Sequence, residues 1–587
     1  MGKTYLNPSD LPNSSYDFIV VGAGNAGGVL AARLSENPEF RVLVIEAGLS
    51  DLGPDSDVLR IPLLAARTPG TKFDWDYETT PQPGLDGRVI PFPRGHVVGG
   101  SSNTNNMVYI RGPSEDFDRL ARISGDDGWS WKNLQKYIKM NERHVRPWND
   151  RNDDEDYDPA AHGNGPLQTS LVAEPSDFDR RVIEAAEQLK GQFRYNRDLN
   201  SGDCLGVGGG NVYHVHCWIH TTVGNGARSS SSTAFLNPAL QSRDNIDLLL
   251  HSHVTRLVPI GGDSNDFRMV ELTQDANAQR FILTASKEVI LCAGAIGTPQ
   301  ILQLSGIGPK HVLERAGVTQ LVDLPDIGRH LQDQPMVFFH WRVNATTLST
   351  FLRDPANIGA CMAEYNDSKT GFAAGAAFFN TMVLLRLPED SAILKEESKD
   401  PAAGPNSAHF LIPTPHNPGQ VAVPTEGDWI SIAAVVQSPT SEGSVEIKTA
   451  SAFDHPAIDP AYFSASFDMK TMVAAFKTIA KFFSAPVWED YIAEAAPETA
   501  ALTTDEAIEA YVRKYANTLK HPVATARISK AEETRGVVGP DLAVKKVKGV
   551  RVVDASVLPF AVAGFPQAQV YILAERAAAL TKERWAK

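Results

Sequence analysis

Tyr16-Asp17-Phe18-Ile19-Val20-Val21-Gly22-Ala23-Gly24-Asn25-Ala26-Gly27-Gly28-Val29-Leu30-Ala31-Ala32-Arg33-Leu34 reads as a strand, a tight turn and a helix. The spaced glycines have separate tasks. Gly22 permits the turn, Gly24 lets the backbone approach a pyrophosphate, and Gly27 lets helix and strand pack closely. Unpaired N–H groups and the macrodipole at the helix start favour an anionic ligand there. A second β-rich run, Val42–Ile45, leads into Glu46, roughly 20 residues past the glycines, where a carboxylate can accept hydrogen bonds from an adenosine ribose. The result is a βαβ dinucleotide-binding unit. It does not by itself choose between FAD and NAD.

The chain around this unit has 587 residues, which implies roughly two to four domains or interleaved lobes. With 42% hydrophobic and 21% charged residues it has the composition of a soluble globular protein, so collagen, coiled coil and wholesale disorder are excluded. A formal charge of −15 disfavours attraction to nucleic acid. Cys204, Cys217, Cys292 and Cys361 show no CxxC spacing, so neither a disulfide framework nor a structural zinc site is written here. The longest apolar candidate, Ala555–Ala574, is broken by Pro559, Pro566, Gln567 and Gln569, so no membrane span is expected. The opening segment lacks the apolar core of a signal peptide, which leaves a cytosolic protein or one shown after its leader was removed. Sequons at Asn13, Asn344 and Asn366 permit secretion.

Further along, the acidic run Asp150–Asp158 reads as a solvated loop, and strand-like runs recur at Ile246–Leu250 and Glu288–Cys292. The portion from about Pro335 to Lys514 mixes Pro-rich loops (Ile412–Pro418) with alternating segments (Trp429–Val436), then helices at Asp468–Phe483 and Thr504–Tyr515. It reads as a separate sheet-based lobe. His214, His216 and His220 share a parity, but with no converging carboxylate they read as a strand leading toward Arg228, and no metal is expected. The usual hydrolase signatures, GxSxG and HExxH, are absent.

Pro93-Arg94-Gly95-His96-Val97-Val98-Gly99-Gly100-Ser101-Ser102-Asn103-Thr104-Asn105 resembles the first signature of the glucose-methanol-choline (GMC) oxidoreductases, and Gly294–Gly308 resembles the second. His521-Pro522-Val523-Ala524-Thr525-Ala526 and Arg551–Pro559 are similar to that family's catalytic-histidine segment and last flavin-binding strand. The matches run in order from Tyr16 to the C-terminus. Within the family, Phe73–Tyr77, Gly224–Ala234 and Asp400–His409 look closest to fungal aryl-alcohol oxidases, whose opening segment commonly follows a cleaved leader. The resemblance therefore implies secretion.

It also implies FAD. Glu46 would meet the adenosine ribose, Gly22, Gly24 and Gly27 the pyrophosphate, Gly99, Gly100 and Asn105 the isoalloxazine, and Asp554 the ribityl-diphosphate. Asn25, Ala26, Arg94, Ser101, Val254, Ala555 and Gln567 complete the implied cofactor set. The implied fold is α/β: a Rossmann-like FAD lobe built from discontinuous segments (1–110, 201–334, 515–587), a substrate-side insertion with the acidic loop (111–200), and a substrate lobe (335–514) on a largely antiparallel sheet with helices.

Alcohol oxidation by a flavin requires removal of the hydroxyl proton and transfer of hydride to N5. By the resemblance His521 is the general base, a role that typically contributes about a hundred- to ten-thousand-fold in rate. The family's second polar position, a histidine or asparagine that holds the substrate oxygen, aligns with Phe565, with Gln567 in register beyond it as a possible substitute. Losing one preorganised donor costs on the order of 3 kcal/mol. Two more departures flank the site. Gln334 stands where histidine is common, and Lys520 stands where aryl-alcohol oxidases tend to have an aromatic residue; pointing inward, the lysine would depress the proton affinity of His521, but it is expected to point outward into solvent. The leading expectation is oxidation of a primary aryl or allylic alcohol, a small-molecule substrate, with molecular oxygen or a quinone as electron acceptor. The alternative is non-redox chemistry, as lyase, isomerase or cyclase, on a scaffold that keeps FAD.

Overall fold

A computed structural model describes residues 1–12, 15–208, 218–261, 265–375, 379–415 and 426–586. The strand Tyr16–Val21 is central because nearly all of it is apolar, and Phe18, Ile19 and Val20 are sealed from solvent on both faces. It pairs in parallel with Val42–Ile45 on one side, Phe18 opposite Val42, and with Phe281–Leu291 on the other, Phe18 opposite Glu288. Ile246–Leu249 and Val550–Val552 add parallel strands, and Met269–Thr273 with His253–Val258 extends one edge as an antiparallel meander. The sheet thus recruits strands from opposite ends of the chain. The helix Asn25–Leu34 packs against it and against the C-terminal helix Pro566–Trp585, which is buried along most of its length.

A second sheet is built around Pro335–Val343, Trp429–Val436, Phe410–Pro415 and Phe379–Leu385, all antiparallel neighbours. The strand Asn517–Thr518 joins it just before His521. The alternation expected for Trp429–Val436 is not an alternation of exposure, because every residue of the strand is buried. Ile430, Ile432 and Ala434 pack in the core with the helix Ser466–Phe482, whereas Ala433 and Val435 join Met336, Phe338 and Met382 in a second core that Phe565 borders. The sheet is therefore covered on one side by a helix and faces the interior of the molecule on the other.

The acidic run is also not simply solvated. Asp153 and Asp156 are buried, and Asp156 accepts from Arg151. Cys204, Cys292 and Cys361 are buried free thiols; Cys217, His214 and His216 lie outside the described residues, as do Asn13 and the end of the Ile412–Pro418 loop. Among the described residues no helix is long and apolar enough to cross a membrane.

Glu288 and Arg551 join two parallel strands of the first sheet by bonds of 2.9 and 3.0 Å, with both side chains almost fully buried. Removing one partner of such a pair leaves an uncompensated buried charge, costing about 3–5 kcal/mol. Glu288→Ala should therefore lower the thermal midpoint well beyond any exposed Glu→Ala change, measured by flavin fluorescence on heating.

Candidate active site

The glycine turn after the first strand folds as the sequence predicts. Gly22 has φ +103, and a Cβ there would lie 2.5 Å from the Cys292 carbonyl oxygen. Gly24 caps the first helix without any side-chain hydrogen bond, so the amides at Asn25 and Ala26 open into a continuous cavity whose water-accessible interior is about 430 Å³. Gly100, with φ +51, brings a second turn against the first, and a Cβ on it would lie 2.8 Å from Gly24 Cα. A Cβ on Gly24 would meet nothing closer than Gly100 Cα at 3.8 Å. The wall between the two turns is bare backbone at an uncapped helix N-terminus, a cradle suited to a pyrophosphate.

Glu46, Val254, Asp554 and Ala555 line the same cavity. Glu46 is buried; its Oε2 accepts from Ala23 N at 2.7 Å and its Oε1 from Gly48 N at 2.8 Å. Burial outweighs both bonds and raises its carboxyl to about 7. Asp554 accepts from Gly294 N (2.9 Å), Thr298 Oγ1 (2.6 Å) and Ser556 N (2.8 Å), tying the second glycine-started helix to the last strand. Gly27 and Gly99 do not line the cavity. A Cβ on Gly27 would sit 1.9 Å from Gly22 O, so this glycine serves helix–strand contact, and Gly99, at φ +89, turns the chain behind the wall. Both were expected as cofactor contacts.

At the far end of the cavity stand His521, Phe565, Gln567, Asn105, Ser101 and Arg94. Asn105 Nδ2 donates to Gln567 Oε1 at 2.6 Å, while Gln567 Nε2 donates to Tyr571 at 3.3 Å, so this amide is committed to its neighbours. The buried guanidinium of Arg228 donates to Asn105 Oδ1 at 2.7 Å from beneath, a support that nothing in the local sequence announces. Arg94 donates to Ser101 Oγ (2.8 Å) and to the Lys520 carbonyl (2.7 Å).

His521 is held from two directions. Its backbone N–H donates to Asp333 Oδ1 at 2.5 Å, and Asp333 also accepts from Thr518 Oγ1 at 2.6 Å and from Tyr462. Its Nδ1 lies 2.7 Å from Gln334 Oε1. The amide of Gln334 has one possible orientation, because its Nε2 donates to two carbonyls, Gln437 at 2.7 Å and Val562 at 2.9 Å. Oε1 must then accept, the proton must sit on Nδ1, and Nε2 keeps its lone pair with no partner among the described residues. The Phe565 ring stands edge-on to this imidazole, 4.9 Å between centroids and 77° between planes.

Lys520 does not point outward. It adopts φ +68, with its N–H held by Thr518 Oγ1 (2.6 Å) and its carbonyl by Arg94, and its half-buried side chain lines the cavity. No carboxylate lies within ion-pair distance of its ammonium among the described residues. Burial, then Arg94, then Lys520 lower the pKa of His521 to about 3. Gln334, Asp333 and Arg228 are the site residues for which sequence reasoning assigned no role.

Comparison with known proteins decides the family. Family models described as GMC oxidoreductase match residues 16–336 and 439–574. The chain belongs to the GMC oxidoreductases. It is therefore an FAD-dependent oxidoreductase, and the bare glycine cradle, the uncapped helix and the buried Glu46 fit that cofactor. This oxidoreductase is 36% identical to pyranose dehydrogenase 3 of Leucoagaricus meleagris, over 99% of this chain and 96% of that protein. It is 33% identical to an alcohol dehydrogenase [acceptor] of Pseudomonas putida, over 96% and 95%. Among solved structures it matches formate oxidase of Aspergillus oryzae RIB40 (TM-score 0.87, 27% identity, 98% and 99% covered). It also matches a fungal aryl-alcohol oxidase (TM-score 0.83, 25% identity, 98% and 100% covered).

An imidazole with its proton affinity this low stays neutral across the ordinary range. The acid limb of kcat/KM should lie below about pH 5 rather than near the unperturbed 6.5. Lys520→Met, by removing a positive neighbour, should move that limb upward. Both follow from initial rates at saturating acceptor from pH 4 to 9.

Proposed function

We propose that this oxidoreductase oxidises a small, largely apolar primary alcohol, aryl or allylic, with Nε2 of His521 taking the hydroxyl proton. The observation that carries this reading is the commitment of His521 Nδ1 to Gln334, which leaves the other nitrogen a free acceptor inside the cavity. FAD, when bound, supplies the hydride acceptor. Glu46 and the Gly22–Gly24 turn are proposed to hold its adenosine and pyrophosphate, and the Gly100–Asn105 wall its ring system.

The choice of alcohol over sugar rests on the lining. The strands Pro335–Val343, Phe379–Leu385 and Phe410–Pro415 present Met336, Phe338, Met382 and Pro413 to the cavity, and Phe565 adds a ring beside the base. A polyhydroxylated substrate would leave hydroxyls unpaired against that surface. A benzylic or allylic group would bury apolar area instead.

Phe565 offers no donor to the substrate oxygen, and Asn105 and Gln567 are bonded to each other. Stabilisation of the developing alkoxide then falls to the electrostatic field of Lys520 and Arg94, the same charges that depress His521. Molecular oxygen or a quinone is the proposed final electron acceptor. Phe565 is also the one observation that favours non-redox chemistry, because it removes the group that orients an alcohol for oxidation. Anaerobic mixing with a panel of benzylic and allylic alcohols separates the two: bleaching of the yellow flavin supports oxidation, and product formation without bleaching supports the alternative. Export is proposed as well, in keeping with the exposure of the sequon residues Asn344 and Asn366.

His521→Ala should remove most turnover, by about a hundredfold or more, while the flavin stays bound; unchanged turnover would take His521 out of the mechanism. Phe565→His should raise the rate of anaerobic flavin reduction by benzyl alcohol, because it restores a donor beside the oxygen. No gain in stopped-flow measurements would contradict the missing-donor account.

A further inference from the structure

Outside the cavity, three chain segments converge on a group of buried ionisable side chains. His162, Asp198 and His220 are each almost fully buried, and one ligating atom from each lies within 4.8 Å of the others. His162 Nε2 is 2.9 Å from Asp198 Oδ2, and His220 Nδ1 is 4.0 Å from Asp198 Oδ1. Tetrahedral bonds of about 2.0–2.1 Å place neighbouring ligand atoms about 3.4 Å apart. The 2.9 and 4.0 Å separations, made to different oxygens of Asp198, lie on either side of that value, and no ligating pair is more than 4.8 Å apart, so movements of roughly 0.5 to 1.4 Å would close the shell.

Two features go beyond a chance encounter of polar groups. The first is the outer support. His162 Nδ1 lies 3.2 Å from Glu142 Oε2, and Glu142 is itself bonded to Arg111 and accepts from Thr169 Oγ1 at 3.1 Å. Asp198 Oδ1 accepts from Asn200 N at 2.8 Å and Oδ2 from Asp158 N at 3.1 Å. A carboxylate behind one imidazole nitrogen is how ligating histidines are oriented in metal sites; the other nitrogen of His162, Nε2, is hydrogen-bonded to Asp198 Oδ2, a bond that an ion between them would replace. The second is a set of orphaned atoms. His220 Nε2 is sealed from solvent with no hydrogen-bond partner among the described residues. Beside it, the His144 ring centroid lies 5.4 Å from that of His220; its Nε2 pairs with Asp153 Oδ2 at 3.1 Å, and its Nδ1 has no hydrogen-bond partner among the described residues. Buried polar atoms without partners are costly and point to an occupant.

We propose that His162, Asp198 and His220 bind one divalent transition-metal ion of the zinc class. Two imidazole nitrogens and one carboxylate suit such an ion, whereas calcium and magnesium prefer all-oxygen shells. A water completes the coordination. The site is structural in position. The His220 carbonyl accepts from Tyr109 N at 2.8 Å, and one residue on, the Ile110 carbonyl accepts from Phe565 N at 2.9 Å, so the ion would brace the wall that carries the ring opposite His521.

The test uses untagged, flavin-loaded full-length protein exposed to excess Zn²⁺ and then desalted into metal-free buffer. Mass spectrometry should find about one zinc per chain. His220→Ala and Asp198→Asn should each reduce this at least tenfold while flavin content is unchanged. No stoichiometric zinc in the parent protein, or zinc that persists in both variants, overturns the proposal. Should both variants fail to fold, Co²⁺ added to the parent protein decides: visible bands of four-coordinate cobalt support the site, and their absence overturns it.

Discussion

The hydrogen bond between His521 Nδ1 and Gln334 Oε1, 2.7 Å long, is the constraint on which the site depends. The imidazole can serve as the proposed base only in one tautomer, and that tautomer is set by an amide whose own orientation is forced by the carbonyls of Gln437 and Val562. Those carbonyls come from the second sheet's border and from the segment after the last parallel strand. The tautomer of one residue is therefore written into the way the two sheets meet.

Asp333 extends the same logic to the backbone. It fixes the His521 N–H while holding Thr518 and Tyr462, so the turn that carries this histidine is anchored to the second sheet before the imidazole is reached. The left-handed Lys520 is a consequence of that anchoring: with its N–H and carbonyl both bonded, its side chain lines the cavity. A buried imidazole next to two cations holds a proton poorly, but the same field favours an alkoxide forming nearby. In the proposed reaction, the loss of a polar group at Phe565 and the gain of a charge at Lys520 would be opposite changes acting on one oxygen.

The parts of this arrangement that were legible in the sequence are local. The Tyr16–Leu34 unit and Glu46 declare themselves because turn, helix start and acid follow one another along the chain. His521 and Phe565 were legible through family likeness, and the structure brings their rings within 4.9 Å of each other between centroids. Gln334 was visible as a departure, but its function depends on carbonyls roughly 100 and 230 positions away, and spacing carries no such information. Lys520 was misplaced because an exposed lysine is the ordinary outcome, and nothing in its neighbours announces a positive φ. Asp153 and Asp156 sit in a run whose charge reads as solvated, yet they turn inward to meet partners. His220 was grouped with its sequence neighbours, whereas its spatial neighbours are His162 and Asp198.

The proton on Nδ1 of a neutral His521 is the feature from which the rest of the site follows. Neutron diffraction from deuterium-exchanged crystals of the flavin-bound protein near pH 7 measures it directly. Nuclear density for deuterium is expected on Nδ1, directed at Gln334, and none on Nε2. Deuterium on Nε2, or on both nitrogens, would contradict it.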